Sequence, residues 1–288
     1  MSSSPQFPVD VGHVRQHYDR LSSLYRLFWG EHLHHGYFEA NESPRRAQIQ
    51  LMERLADRAA IPRGARVLDI GCGLGGSAFW LADRFGCDVT GMTISPVQAR
   101  MASKKSAALG LRDRVRFEVR DANRWQPEPD RFDVVWIMES SEHFPDKPGF
   151  FERCARTLKP GGTLAVCAWL RRDVPMSDQD RPLIAAIAKA MMSASLDTLS
   201  DYRQWMSDAG LTVTTAEDIT RNVAPTWTHC ARIGANPVVR LFLPLTGSAT
   251  REFVRAFPLM VQAYAQGAMA FGLFVAKKPA TGEARQSG

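Results

Sequence analysis

Leu68-Asp69-Ile70-Gly71-Cys72-Gly73-Leu74-Gly75-Gly76 decides the fold of this 288-residue chain. The run Arg66 to Ile70 reads as a short buried strand, and Ser77 to Phe85 beyond the glycines reads as a helix. Glycines between a strand and a helix let the backbone turn tightly and approach a ligand. Gly71, Gly73 and Gly76 also satisfy G-x-G-x-x-G, the pattern of dinucleotide sites. Such a site wants an acidic residue about 20 positions on, for the ribose hydroxyls. The next strand, Cys87 to Gly91, leads into Met92-Thr93 without a carboxylate. The glycines alone leave the cofactor open.

Outward from this stretch, strands alternate with helices. Ser95-Pro96 caps a helix through about Leu109, Val115 to Val119 is a third strand and Phe132 to Ile137 a fourth. A helix from Pro148 to Thr157 is stopped by Lys159-Pro160-Gly161-Gly162, and Thr163 to Leu170 is a fifth strand. Such βαβ units imply a parallel sheet. Further on, Arg181 to Ser195 and Leu199 to Ala209 are helical, Leu211 to Ile219 is a strand, Pro225 to about Tyr264 is largely helical and Ala268 to Ala276 is a last strand. Upstream, Asp10 to Trp29 and Ser43-Pro44 to about Ala60 are helices. The expectation is an α/β fold with a doubly wound, mostly parallel, seven-stranded Rossmann-like sheet. An N-terminal helical lid and helical insertions around the sixth strand would sit over the strands' carboxyl ends, where such sheets bind ligands.

Composition narrows the function. With 45% hydrophobic and 23% charged residues the chain can bury a full core, and no run approaches the roughly 20 apolar residues of a membrane span. Met1 to Asp10 is polar, without the apolar segment of a signal peptide. The net charge of +6 comes from basic residues scattered in ones and twos, a solvated surface rather than a nucleic-acid site. Five cysteines, odd in number and without C-x-x-C spacing, read as reduced thiols of a cytoplasmic protein.

Asp69-x-Gly71-x-Gly73, Asp121-Ala122 after the third strand, Phe132-Asp133-Val134-Val135 on the fourth and Leu158-Lys159-Pro160-Gly161-Gly162 before the fifth stand in order. Together they resemble class I S-adenosylmethionine (SAM)-dependent methyltransferases. Met92-Thr93-Ile94-Ser95-Pro96-Val97-Gln98, Met138-Glu139-Ser140-Ser141-Glu142-His143-Phe144-Pro145-Asp146-Lys147, Tyr18-Asp19 with His34-His35-Gly36-Tyr37, and Asn222-Val223-Ala224-Pro225-Thr226-Trp227 resemble the gamma-tocopherol methyltransferase group. That group includes ring-carbon methyltransferases of phenols and alkaloid N-methyltransferases. The resemblance implies SAM as cofactor and S-adenosylhomocysteine as product. It also implies a tail (1–9), a helical lid (10–62), a SAM-binding core (63–170), the rest of the sheet with acceptor-binding insertions (171–278) and a second tail (279–288).

Carried over by position, Gly71, Gly73 and Gly75 lie against the methionine part and ribose of SAM, with Asp69 near its amino-acid end. Thr93 replaces the usual ribose-binding carboxylate, with Gln98 as helper; Asp121 and Ala122 face the adenine; Glu139 and Tyr37 also face the cofactor. His143 is the preferred general base, because an imidazole suits proton abstraction at neutral pH, with Glu142 as alternative base or orienting partner. Tyr18 pairs with His143 as a lid latch. Trp29, Phe38, Trp169 and Trp227, with Met191, Met192 and Met260, are candidates to line an apolar acceptor pocket. His32, His34 and His35 have no acidic or cysteine partner at ligand spacing, so no metal is expected. The expected acceptor is a small aromatic or prenylated molecule, first an electron-rich ring carbon of a phenol or indole, then nitrogen or oxygen. A SAM-fold cyclase or binding protein without methyl transfer is the alternative of another class. No nucleic-acid partner is expected, and a homodimer is compatible.

Overall fold

The computed structural model describes residues 7, 10–28 and 32–280. Seven strands form one sheet: β1 (Arg66–Ile70), β2 (Asp88–Thr93), β3 (Val115–Val119), β4 (Phe132–Met138), β5 (Leu158–Arg171), β6 (Thr212–Asp218) and β7 (Met269–Lys277). Their order is β3-β2-β1-β4-β5-β7-β6. β1 to β5 pair in parallel, and β7 runs antiparallel between β5 and β6. The order reverses between β1 and β4, so a crevice opens at their carboxyl ends.

Alternation along each strand splits the core between the two faces. Val67, Val134, Trp136, Ala165 and Cys167 pack on one face. Leu68, Ile70, Ile137, Leu164 and Val166 pack on the other. Strands buried on both sides read as continuous apolar runs, which is why the sequence shows them clearly. The helices are α1 (Val11–Phe28), α2 (Pro44–Ala59), α3 (Gly76–Phe85), α4 (Pro96–Ala108), α5 (Lys147–Thr157), α6 (Asp180–Met191), α7 (Leu199–Asp208), α8 (Thr220–Val223), α9 (Pro225–Ala235), α10 (Pro237–Phe242) and α11 (Ser248–Ala265). Ser43 and Ser95 cap α2 and α4 by accepting the N–H groups of Arg46 and Gln98, each just ahead of a proline at the first helical turn.

Two expectations shift. β5 starts at Leu158 rather than Thr163, because the Lys159–Gly162 stretch pairs with the end of β7: Gly161 N–H donates to Lys278 O and Lys278 N–H to Gly162 O. The helical region after Pro225 is broken into α9, α10, a 3-10 turn (Leu243–Leu245) and α11, with Pro237 and Pro244 at the breaks. No helix among the described residues is long and apolar enough to cross a membrane.

Candidate active site

A cleft of ≈ 990 Å³, counting its open mouth, lies over the carboxyl ends of β1, β2 and β4 and under α1. Gly71 and Gly73, at φ +76° and +53°, form its floor with Asp69. Gly71 cannot carry a side chain: a Cβ would lie 2.3 Å from the Cβ of Ser140. Thr93, Gln98, Asp121, Ala122 and Asn123 form the far wall. Thr93 Oγ1 donates to Gln98 Oε1 (2.8 Å) and accepts from Ser95 N–H, which fixes the Gln98 amide with its Nε2 buried and unpartnered. Asp121 Oδ1 accepts from the backbone N–H and the amide of Asn123, closing a turn. Asp69 Oδ2 and Asn123 Oδ1 are likewise buried without a partner.

A second cavity, ≈ 750 Å³ with its mouth, adjoins the first and shares Tyr18, Leu33, His34, Glu139 and His143 with it. Its walls are largely apolar and aromatic: Trp169 at the end of β5, Met191 and Met192 after α6, Trp227 of α9 and Phe253 of α11. Glu142 and His143 reach it from a 3-10 turn, Ser141–His143, that follows β4. Met260 is buried in the core instead.

The partition between the two cavities is a hydrogen-bonded chain. His143 Nδ1 lies 2.9 Å from Met192 O. A carbonyl only accepts, so the ring proton sits on Nδ1 and Nε2 presents its lone pair, to which Tyr18 Oη donates at 3.1 Å. Tyr18 and His143 are therefore hydrogen-bonded across the cavities. Burial, with Lys147 nearby, lowers the His143 pKa, against the raising effect of Met192 O, so the imidazole is neutral at neutral pH. Burial raises the Tyr18 phenol, with Glu142 and Glu139 adding to it.

The two carboxylates differ. Burial lifts Glu142 to about 8; its Oε1 accepts from Trp169 N–H (2.5 Å), and its Oε2 is buried without a partner. Glu142 therefore holds its proton to higher pH than an ordinary carboxyl. Burial alone would raise Glu139 too, but the His35 ring and N–H, the His34 ring and the Trp169 indole hold it below its ordinary value. Its carboxylate takes His35 N–H at 2.7 Å, His35 Nδ1–H at 2.8 Å and Trp169 Nε1–H at 2.6 Å. Glu139 lines the cleft, and these three donors, two from His35 and one from Trp169 on β5, hold its carboxylate. Its φ of +53°, outside the range favoured by L-residues, is the backbone cost of that placement.

Other expected positions change as well. Tyr37 is buried in the core under the Arg54 guanidinium (4.8 Å) and lines neither cavity, because its N–H is held by Ala47 O. Phe38 stacks on His229 (5.5 Å), drawn there by paired bonds with Asn222. Gly75, at φ +82°, is close-packed against Phe117 and Phe79, so its missing side chain serves helix packing while Gly76 lines the cleft. Trp29 lies outside the described residues. Trp169 and Trp227 do reach the second cavity. Among the described residues, no group of histidine, cysteine, aspartate or glutamate is arranged to hold a metal.

His34 is a site residue the sequence reading missed. Its Nδ1–H donates to His35 O (2.8 Å), which leaves Nε2 as an unpartnered buried acceptor on the wall shared by both cavities. Burial lowers its pKa, so that lone pair is available. The signal was the His34-His35-Gly36 run itself. Gly36 has no room for a Cβ, which would lie 2.5 Å from the Ala47 Cβ, and its N–H goes to Thr226 Oγ1, so the histidines are held inward.

Comparison with known proteins agrees with this geometry. Residues 8–233 match the model of the family described as mycolic acid cyclopropane synthetase. A chloroplastic tocopherol O-methyltransferase of Arabidopsis thaliana is 30% identical over 92% of this chain and 82% of its own. A 2-methyl-6-phytyl-1,4-hydroquinone methyltransferase of Synechocystis is 31% identical over 93% and 88%. The solved structure of a cyclopropane synthase from Mycobacterium tuberculosis superposes with a TM-score of 0.83 at 18% identity, covering 96% of this chain and all of that one, which shows a common fold. This chain belongs to the mycolic acid cyclopropane synthetase family and is a class I SAM-dependent methyltransferase resembling the tocopherol methyltransferase group.

Proposed function

We propose that the enzyme methylates a small, largely apolar acceptor carrying an O–H or N–H donor, first of all a ring carbon of a phenol or indole. The observation that carries this reading is the second cavity. It is aromatic and apolar, it opens onto the cofactor cleft, and its only unpartnered polar atoms among the described residues, Glu142 Oε2, His34 Nε2 and Ser193 Oγ, await a hydrogen-bonding group. The hydroquinone named for the Synechocystis relative has that character.

The cleft suits SAM. Asp69 Oδ2 is placed for the amino group, Gln98 Nε2 for a ribose hydroxyl, and Asn123 Oδ1 with Asp121 for the adenine amine, each filling a valence the protein leaves open. The Ala122 N–H and the Gly71–Gly73 backbone complete the cradle. When bound, SAM supplies an electrophilic methyl group on its sulfonium. The chain positions the acceptor in line with it, and much of the acceleration comes from that alignment. Protonated Glu142 donates a hydrogen bond to the acceptor oxygen or nitrogen and keeps its proton. The acceptor's own proton passes to Tyr18 Oη as Tyr18 passes its proton to His143 Nε2, leaving the ring electron-rich at carbon. After methyl transfer the ring carbon gives up its own proton, which returns to the oxygen or nitrogen, and His143 releases the proton it took to solvent. The same groups serve attack by nitrogen or oxygen. The acceptor is a small molecule rather than nucleic acid, and five buried free thiols suit a reducing cytoplasm.

Calorimetric titration with SAM, followed by mass spectrometry on phenols, indoles and prenyl quinols, tests this reading. Binding with a gain of one methyl group, located on the ring by fragmentation, is the expected result. An isomerised product with unchanged mass would replace transfer by cyclisation, and methyl on nitrogen or oxygen would replace the ring carbon.

A further inference from the structure

Seven large hydrophobic side chains are exposed among the described residues, and four of them fall in one ten-residue stretch: Ile233, Val238, Leu241 and Phe242. The last three, 62%, 71% and 56% exposed, recur at i, i+3, i+4 and form one bare face of α10. Ordinary surface leucines occur singly. Residues 225–260 hold four arginines, Arg232, Arg240, Arg251 and Arg255, against one acidic residue, Glu252. Arg240, Arg251 and Arg255 line a shallow depression with Leu243 and Pro244 beside the bare face. Arg251 is tied to the backbone oxygens of Pro244 and Thr246 and holds the turn; no carboxylate pairs with Arg232, Arg240 or Arg255 among the described residues.

We propose that this face, α10 with the following turn and the start of α11, docks on an anionic lipid bilayer, with Val238, Leu241 and Phe242 in the interface and Arg240 and Arg255 at the phosphates. Apolar side chains flanked by unpaired arginines are the composition that binds such a surface. A second copy of this chain suits it poorly, because a two-fold contact would bring arginine against arginine. The location also makes sense. Trp227 and Thr226 on α9 and Phe253 on α11 line the second cavity, and the docking face adjoins these same two helices: α10 packs on α9, and Arg240 shares a depression with Arg251 and Arg255 of α11. This part of the argument rests on the apolar-acceptor reading: docking would present the cavity to an acceptor dissolved in the bilayer.

Flotation of the full chain with phosphatidylcholine vesicles, with and without phosphatidylglycerol, tests the proposal. Binding is expected only with phosphatidylglycerol. Leu241→Glu with Phe242→Glu should weaken it about tenfold or more, and Arg240→Gln or Arg255→Gln about fivefold each. These side chains are exposed or border solvent, and the variants should melt like wild type. They should also methylate a short-chain, water-soluble phenol at the wild-type rate, which separates this test from that of the acceptor. Absence of vesicle binding would overturn the proposal. So would binding that the arginine changes weaken and the apolar changes do not, since that describes a polyanion site and not a bilayer contact.

Discussion

Replacing Glu142 with glutamine should remove one contribution to stability that is lost as pH rises. Burial moves this carboxyl from 4.5 to about 8. Between those values the folded chain keeps a proton that the unfolded chain releases. The contribution is therefore complete below about 4.5, declines as pH rises and is gone once pH passes about 8. At about 1.4 kcal/mol per pH unit, that interval is worth about 5 kcal/mol, a large share of the roughly 5–15 kcal/mol that holds a domain together. Asp69, moved by burial from 3.8 to about 7, acts in the same direction and adds about 4 kcal/mol. Glutamine keeps the shape and the oxygen that accepts the Trp169 N–H, but it has no proton to lose. Urea unfolding at steps between about pH 5 and pH 8 is the assay. Because the depressed His17, His32, His34 and His143 act in the opposite direction below about pH 6.5 in all three proteins, the readout is the difference between them. From about pH 5 to pH 8 the wild type should lose about 4 kcal/mol relative to Glu142→Gln, and Glu142→Gln about 3 kcal/mol relative to Glu142→Gln with Asp69→Asn. Parallel curves for wild type and Glu142→Gln would refute the reasoning, because they would mean that Glu142 folds as a carboxylate and cannot be the donor in the second cavity.

His143→Ala should lower turnover about 10²- to 10⁴-fold while leaving the calorimetric affinity for SAM nearly unchanged. Because burial lowers the His143 pKa, the acid limb of the wild-type turnover profile should lie below pH 6.5, and a limb at or above that value would remove His143 as the base. Asp69→Asn should weaken SAM binding about 10- to 100-fold by removing a charge-assisted bond to the amino group; unchanged affinity would place that group elsewhere. Gly71→Ala should destabilise the fold by about 2–4 kcal/mol in thermal unfolding, since the new Cβ meets Ser140 and the backbone stays at positive φ.

The parts of the fold legible in the sequence were those governed by local rules. Parallel strands buried on both faces spell out apolar runs, and Ser-Pro pairs announce α2 and α4. The gathering of Asp69, Thr93, Asp121 and Glu139 around one cleft was legible because all four sit at or just beyond strand ends. What was hidden depends on partners far away in the chain. Nothing around Glu139 reveals that His35 and Trp169, 104 and 30 residues away, saturate its carboxylate. Tyr37 and Phe38 lie in a loop without periodicity, so no pattern says whether they turn to the cleft, to Arg54 or to His229. The availability of His34 depends on which ring nitrogen meets a carbonyl, a fact of geometry alone.

The N-terminal segment is fastened in two unequal ways, and the difference bears on how an acceptor enters. His35 is locked from every side: its N–H and Nδ1–H go to Glu139, and its Nε2 accepts the Trp227 indole N–H at 2.6 Å with the Tyr264 hydroxyl at 3.3 Å. These groups are buried, so water cannot compete and each bond keeps its full strength. α1 is held more lightly. Asp19 accepts from Ser95 Oγ at a half-open edge, and Tyr18 makes one neutral bond to His143. On the proposed reading, α1 is the element expected to swing to admit an acceptor, with the His34–Phe38 segment as its fixed anchor. Because the proposed relay runs through Tyr18, α1 would have to be closed, with the Tyr18–His143 bond made, for the acceptor's proton to reach the imidazole. The bond would thereby tie proton abstraction to closure of α1 over a bound acceptor.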